Sequence, residues 1–194
     1  MVQKLAAASA GGLIRSGAIS EGDREVYEYG FAALYSRLAS LSLAVAIAIA
    51  ARMAPQAAAF HIAFIALRSS AGGWHAPTRL ACFFLSAALF AFSLWGSAHI
   101  APQAASIGLA AFSAALVWAS APIGHENSPM GEAKRARMKK KARALSIGLL
   151  AAVALANIAP PLRWAAMPLA LGMASQGLLA IMALASKKAA GKGP

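Results

Sequence analysis

The residues best suited to chemistry lie in one short segment, 68–82, with the sequence RSSAGGWHAPTRLAC. Cys82 is the only cysteine of the chain, so it has no intramolecular disulfide partner and cannot belong to a multi-cysteine metal site. His75 lies seven residues before it. A thiol beside an imidazole is a common pairing of nucleophile and base. The segment therefore suggests Cys82 as a nucleophile and His75 as its base.

The spacing of these two residues requires a break in the backbone. On one continuous helix, seven residues at about 1.5 Å each would separate them by roughly 10 Å along the axis, which is too far for a hydrogen bond. Gly72 and Gly73 allow a sharp turn, and Pro77 suits the first position of a new helix. We therefore expect a loop at 68–76 and a helix that starts near Pro77, so that His75 meets Cys82.

Two arginines beside the cysteine, Arg68 and Arg79, are candidates for activating it. A thiol reacts as its thiolate, and positive charge or a helix N-terminus favours that form. Arginines near a membrane surface also commonly extend to the interface without a catalytic role. A lone cysteine in a membrane helix is most often a small apolar residue. The residues alone leave both interpretations open.

The composition is that of a polytopic membrane protein. Of the 194 residues, 60% are hydrophobic and 12% are charged, and the mean hydropathy is +0.63; soluble domains are roughly 45–50% apolar. We expect a single all-α domain, 1–194, built from membrane helices. Each membrane helix needs about 20 apolar residues. We expect six spans, at 33–52, 55–67, 80–100, 104–124, 144–160 and 164–185, of which the second is short and irregular. Four spans with two re-entrant segments remain the alternative topology.

Residues 1–30 differ from the rest of the chain because apolar and charged residues alternate irregularly there. Such a pattern predicts one or two amphipathic helices that lie in the cytoplasmic interface. An N-terminus that serves only to orient the chain explains the pattern equally well.

The distribution of basic residues predicts the orientation. The net charge is +12, and seven of the 18 basic residues fall within 134–143, between apolar segments. This arrangement is typical of a cytoplasmic loop, here 125–143, that meets anionic lipid, and it does not indicate nucleic-acid binding. If the N-terminus is cytoplasmic, only Arg52 and Arg163 fall on the other side. We therefore expect a multi-pass plasma-membrane protein with both termini and the 68–82 segment at the cytoplasmic face.

Several other classes of function find no support in the sequence. The four histidines show no zinc-protease spacing, and P-loop, GxGxxG and GxSxG motifs do not occur. We expect neither a metal nor a cofactor. Acidic residues are confined to 21–28, 126 and 132, which disfavours ion-coupled transport. The main alternative to an enzyme is a membrane protein that transports or presents a peptide without chemistry.

The spacing Arg68-x3-Gly72-Gly73-x-His75-x6-Cys82 resembles the signature of the accessory gene regulator protein B family, the membrane endopeptidases of quorum-sensing systems. The segment APIGHENSPM at 121–130, followed by the basic run, is also similar to the family, as is Glu28-Tyr29-Gly30 before the first span. Length and motif order agree over nearly the whole chain. The alanine-rich spans depart from the family.

The resemblance implies a cysteine endopeptidase that removes the C-terminal part of a small autoinducer-peptide precursor. Cys82 would form a thioester with the remaining part, His75 would serve as general base, and ring closure would give a thiolactone or lactone. Arg68 would bind an acidic group of the precursor or stabilise the oxyanion. The precursor would have an amphipathic N-terminus and an acidic C-terminal tail, which Lys139, Lys140 and Lys141 would attract. A homodimer is a further implication of the family.

Overall fold

The structure, a computed structural model, describes residues 2–74, 76, 78–100, 103–124 and 131–189. This part of the chain contains seven α-helices: α1 (Val2–Arg15), α2 (Arg24–Ala50), α3 (Ala54–Ala71), α4 (Arg79–His99), α5 (Gln103–Ser120), α6 (Glu132–Ile158) and α7 (Arg163–Ala189). Single turns of 3₁₀-helix at Glu21–Asp23 and Pro160–Leu162 precede α2 and α7. The prediction of an all-α polytopic membrane protein is confirmed.

The six helices α2 to α7 correspond in order to the six apolar segments of the sequence. Four helical stretches in the described residues are long and apolar enough to cross a membrane: Glu21–Ala50, Leu80–His99, Glu132–Ile158 and Pro160–Ser186. The apolar part of α5, Ala104–Ser120, is shorter, and α3 carries His61 and Arg68 within its 18 residues. The hydropathy pattern thus identified α2 to α7, while six crossings of the membrane remain a prediction.

The N-terminal segment forms one amphipathic helix. Helix α1 packs on α2, where Ala6 and Ala10 are buried and the hydroxyls of Ser9 and Tyr35 lie 2.6 Å apart. The charged residues that follow do not build a second interfacial helix. They lie in the 3₁₀ turn Glu21–Asp23 and in the start of α2, and the Arg24 guanidinium lies 2.7 Å from a carboxylate oxygen of Glu21.

Helix α7 is the centre of the bundle and contacts α3, α4, α5 and α6. Small residues make this possible, because helices in lipid approach closely where side chains are small. A Cβ atom added to Gly172 would lie 2.5 Å from the carbonyl oxygen of Phe60 on α3. The main core lies around α7 and is formed by Ala63, Leu67, Ala71, Ala110, Ala114, Val117, Ala121, Ala142, Val153, Ala170 and Met173.

The loop before the cysteine is shorter than predicted. Helix α3 continues through Ala71, so Arg68 lies in its last turn, and the prediction of a loop from residue 68 is wrong. The helix ends at Gly72, whose φ of 71° lies in the left-handed region that glycine adopts without a steric penalty. Helix α4 begins at Arg79, after Thr78 caps it by accepting a hydrogen bond from the backbone nitrogen of Ala81 at 3.1 Å.

The basic run is helical, so the prediction of a basic loop over 125–143 is also wrong where the structure describes that range. Helix α6 starts at Glu132 and includes all seven basic residues of 134–143; residues 125–130 lie outside the described residues. Alanine, lysine, arginine and methionine are good helix formers, and Glu132 interacts favourably with the positive N-terminal end. Lys139, Lys140 and Lys141 are therefore exposed side chains on a rigid helix.

Candidate functional site

Cys82 lies at the beginning of α4 and is half-buried. Its backbone nitrogen donates a hydrogen bond to the Thr78 carbonyl oxygen at 3.0 Å, which places it at the end of the first helical turn. The N-terminal end of a helix carries a partial positive charge. The thiol therefore lies where a negative charge is favoured.

The chain just before the cysteine is fixed to two other parts of the bundle. The backbone nitrogen of Ile123 donates to the Ala71 carbonyl at 2.8 Å, and that of Trp74 donates to the Leu179 carbonyl on α7 at 3.0 Å. Gly72 also pairs with Ile123 in an isolated parallel β-bridge. The loop 72–74 is thus held between α7 and the segment that follows α5.

Both glycines of this loop are required by its geometry. A Cβ atom on Gly72 would overlap the carbonyl oxygen of Ile123, and one on Gly73 would overlap a guanidinium nitrogen of Arg68. Gly73 has a φ of 134°, a conformation that residues with a side chain rarely adopt. The sharp turn predicted at both residues is confirmed, and their predicted part in binding or catalysis stays a prediction.

Arg68 folds back over the loop that follows its helix. Its Nη1 donates to the Gly72 carbonyl at 3.0 Å, and its Nη2 donates to the Trp74 carbonyl at 2.7 Å. Burial lowers the pKa of the Arg68 guanidinium, and the charge of a Cys82 thiolate acts in the opposite direction. Arg68 and Cys82 therefore lie within electrostatic range of one another.

Sequence reasoning missed Gln176, which lies on α7 and is completely buried. Its Nε2 donates to the Gly72 carbonyl at 2.6 Å, while its Oε1 has no hydrogen-bond partner among the described residues. An unpaired buried polar atom costs about 1–3 kcal/mol. The signal in the sequence was a single amide within an otherwise apolar stretch of a candidate span, since polar residues inside membrane helices are rare and commonly functional.

The other predicted site residues are placed only in part. His75 and Pro77 lie outside the described residues, as does the side chain of Arg79, whose backbone opens α4. The structure brings Arg68 into contact with Gly72 and Gly73, and Cys82 follows at the start of α4. In the described ranges, no group of three or more His, Cys, Asp or Glu residues is arranged to hold a metal ion.

A second feature lies on the basic part of α6. The Arg143 guanidinium stacks over the Trp118 ring at 4.6 Å, which favours an attractive cation–π contact. Beside it is an open groove of about 460 Å³ lined by Trp118, Ala136, Lys139, Lys140, Arg143, Ala144 and Ile147. Two of the three predicted docking lysines thus face a groove with an apolar wall.

Comparison with known proteins identifies the family of the chain. The accessory gene regulator B family matches residues 6–183, which include every helix from α2 to α6 and the complete 68–82 segment. No curated protein and no solved structure matches the chain. The family match covers far more than half of the chain. The chain therefore belongs to the accessory gene regulator B family, whose members take part in processing the precursor peptide of a quorum-sensing system.

Proposed function

We propose that the protein is a membrane cysteine endopeptidase that removes the C-terminal part of a small autoinducer-peptide precursor and cyclises the remainder. The observation that supports this most is the placement of Cys82. Its thiol lies at the N-terminal end of α4, within electrostatic range of Arg68. The loop that leads into His75 is held by hydrogen bonds to Leu179 and Gln176.

In the first step, His75 takes the thiol proton and the Cys82 sulfur attacks the carbonyl carbon of the scissile peptide bond. The carbon–nitrogen bond breaks as His75 gives its proton to the leaving amine. The C-terminal part of the precursor leaves with a free amine. The N-terminal part stays on Cys82 as a thioester.

In the second step, a cysteine or serine side chain of the bound peptide attacks the thioester carbonyl. The carbon–sulfur bond to Cys82 breaks, the attacking group loses its proton, and Cys82 regains a proton. The product is a thiolactone or lactone ring. Water competes for the same carbonyl, so a site at the membrane surface favours ring closure by excluding it.

Arg68 contributes to this mechanism in two ways, by positioning the loop and by supplying positive charge. Through Gly72 and Trp74 it positions the loop, and its positive charge opposes the negative charge that develops on sulfur and on the oxyanion. Arg79 stands in the same first turn of α4 as Cys82 and is a second source of positive charge. Binding of an acidic group of the precursor is a further role for Arg68.

Co-expression with a candidate precursor tests this proposal. The probe is the peptide of a short neighbouring reading frame with an amphipathic start, a central cysteine or serine and an acidic end. Mass spectrometry should find an N-terminal fragment that is one water lighter than its linear form, together with the released tail. A precursor that is exported or retained intact would instead support a transporter or scaffold.

We also propose that both termini and the site face the cytoplasm, as the basic residues indicate. A thiol reagent that cannot cross membranes should then leave Cys82 unlabelled in intact cells and label it in inverted vesicles. Because the chain has one cysteine, Cys82→Ala provides the background. Labelling from outside intact cells would refute this orientation.

The basic face of α6 is the proposed docking surface for the acidic tail of the precursor. Replacing Lys139, Lys140 and Lys141 by glutamine should raise KM with little change in kcat, because these residues lie outside the reacting centre. The wild-type KM should rise with salt, since exposed charges are screened over about 8 Å at physiological ionic strength. Cleavage kinetics at low and high salt measure both effects.

A matched control separates docking from net charge. Replacing Lys134, Arg135 and Arg137 by glutamine removes the same charge from the same helix, outside the groove that Lys139 and Lys140 line. This control should change KM less. Equal changes in KM, or an unchanged KM for the first variant in correctly inserted enzyme, would exclude a specific docking role.

A further inference from the structure

We propose that Gln176 is a positioning residue of the reaction, acting through the Gly72 carbonyl to hold the loop that leads into His75. This inference rests on the proposed cysteine endopeptidase function. Gln176 lies 94 residues after Cys82 in the sequence, and no motif connects the two. Their connection comes from the packing of α7 against α3 and from the hydrogen bond that Gln176 donates to Gly72.

The hydrogen bond between Gln176 and Gly72 fixes the orientation of the Gln176 amide. A carbonyl oxygen only accepts hydrogen bonds, so the amide nitrogen of Gln176 must face Gly72, at 2.6 Å. Arg68 donates to the same oxygen at 3.0 Å. Two donors from two helices thus converge on one carbonyl, and together they fix the loop relative to both α3 and α7.

Further contacts keep Gln176 against this loop. A Cβ atom on Gly73 would lie 3.5 Å from its Nε2, so the backbone passes directly over the amide. One turn further along α7, the Leu179 carbonyl accepts the hydrogen bond of Trp74. Helix α7 therefore holds the loop at two successive points, and only the first point uses a side chain.

Stability alone does not account for an amide at this position. Gln176 is completely buried, and its Oε1 has no hydrogen-bond partner among the described residues. A methionine of similar length would bury no unpaired oxygen, and the Gly72 carbonyl would keep the hydrogen bond from Arg68. The exchange of glutamine for methionine would therefore stabilise the fold. We expect the amide to contribute to the reaction instead. Enzymes commonly trade stability for a functional arrangement in this way.

The effect on the reaction follows from alignment. Without Gln176 the carbonyl is held by Arg68 alone, whose long side chain leaves the loop more freedom. A displacement of about 1 Å at a reacting centre can lower the rate by as much as about 100-fold. The precursor would still bind, because Gln176 is buried and does not reach the surface.

The test compares Gln176→Met with the wild-type enzyme in detergent, using the precursor peptide described above. We expect kcat to fall about 10- to 100-fold, KM to stay within about twofold, and the midpoint of thermal unfolding to stay equal or rise. The control is Ser175→Ala, which alters the adjacent buried residue of the same helix and should leave kcat near the wild-type value.

Two results would overturn the inference: an unchanged kcat, or a kcat that falls together with thermal stability or membrane insertion. The second result would mean that Gln176 stabilises the fold and has no separate role in the reaction. These outcomes differ from a failure of the proposed function, in which the wild-type enzyme itself leaves the precursor uncleaved and the inference falls with it.

Discussion

Cys82→Ala is expected to abolish cleavage of the precursor while membrane insertion and precursor binding stay intact. Removal of a covalent nucleophile lowers the rate by at least about 10³-fold, because no other group can form the acyl intermediate. Substitution of the half-buried thiol by a methyl group disturbs the packing of α4 little. The measurement is the rate of tail release from the precursor, with binding assayed separately.

Ser86→Ala is the matched control for this prediction. Ser86 lies one turn further along α4 and is exposed, so its loss should leave cleavage unchanged. His75→Ala should resemble Cys82→Ala, and the double variant should be no worse than either, because nucleophile and base act as one unit. Normal cleavage by Cys82→Ala would end the proposed mechanism.

Gly72→Ala is expected to have the second largest effect, lowering kcat by more than about tenfold. The new methyl group would overlap the Ile123 carbonyl oxygen, and a backbone with φ 71° and ψ −150° is essentially confined to glycine and costs other residues about 1–3 kcal/mol. The loop must therefore move away from Ile123, and it carries Trp74 with it. Because the residues that follow include His75, the alignment of base and nucleophile should be lost.

Gly148→Ala provides the comparison for Gly72→Ala. Gly148 lies within α6, and a Cβ atom there meets no atom within 4 Å, so alanine should be tolerated and should favour the helix. Cleavage rate and thermal unfolding of the two variants separate loss of alignment from a general effect of glycine replacement. A Gly72→Ala enzyme with the wild-type rate would show that the loop position is unimportant.

Much of this architecture was predictable because it depends on local sequence. Apolar segments of nearly membrane length identified α2 to α7, and the Gly72-Gly73 pair correctly placed a break between α3 and α4. Thr78 capping and the start of α4 at Arg79 agree with a helix that begins near Pro77. These features are set by hydropathy and by the conformations open to glycine and proline.

The features that sequence reasoning missed depend on contacts between distant residues. Nothing local shows that α3 continues through Arg68, since that turn is stabilised by hydrogen bonds from Arg68 back to the loop. The role of Gln176 requires α7 to pack against α3, which the periodicity of alanine-rich helices does not specify. The charge of the basic run predicts an exposed segment, and an exposed helix satisfies that prediction as well as a loop does.

The central claim is that Cys82 carries the peptide as a thioester, and the mass of the intact enzyme tests it most directly. The purified enzyme is mixed with the precursor, quenched in acid and analysed by mass spectrometry. We expect an added mass equal to the N-terminal part of the precursor less one water, located at Cys82, removed by hydroxylamine and missing from Cys82→Ala. Released tail without any such adduct in the quenched wild-type enzyme, or the same adduct on Cys82→Ala, would contradict the account.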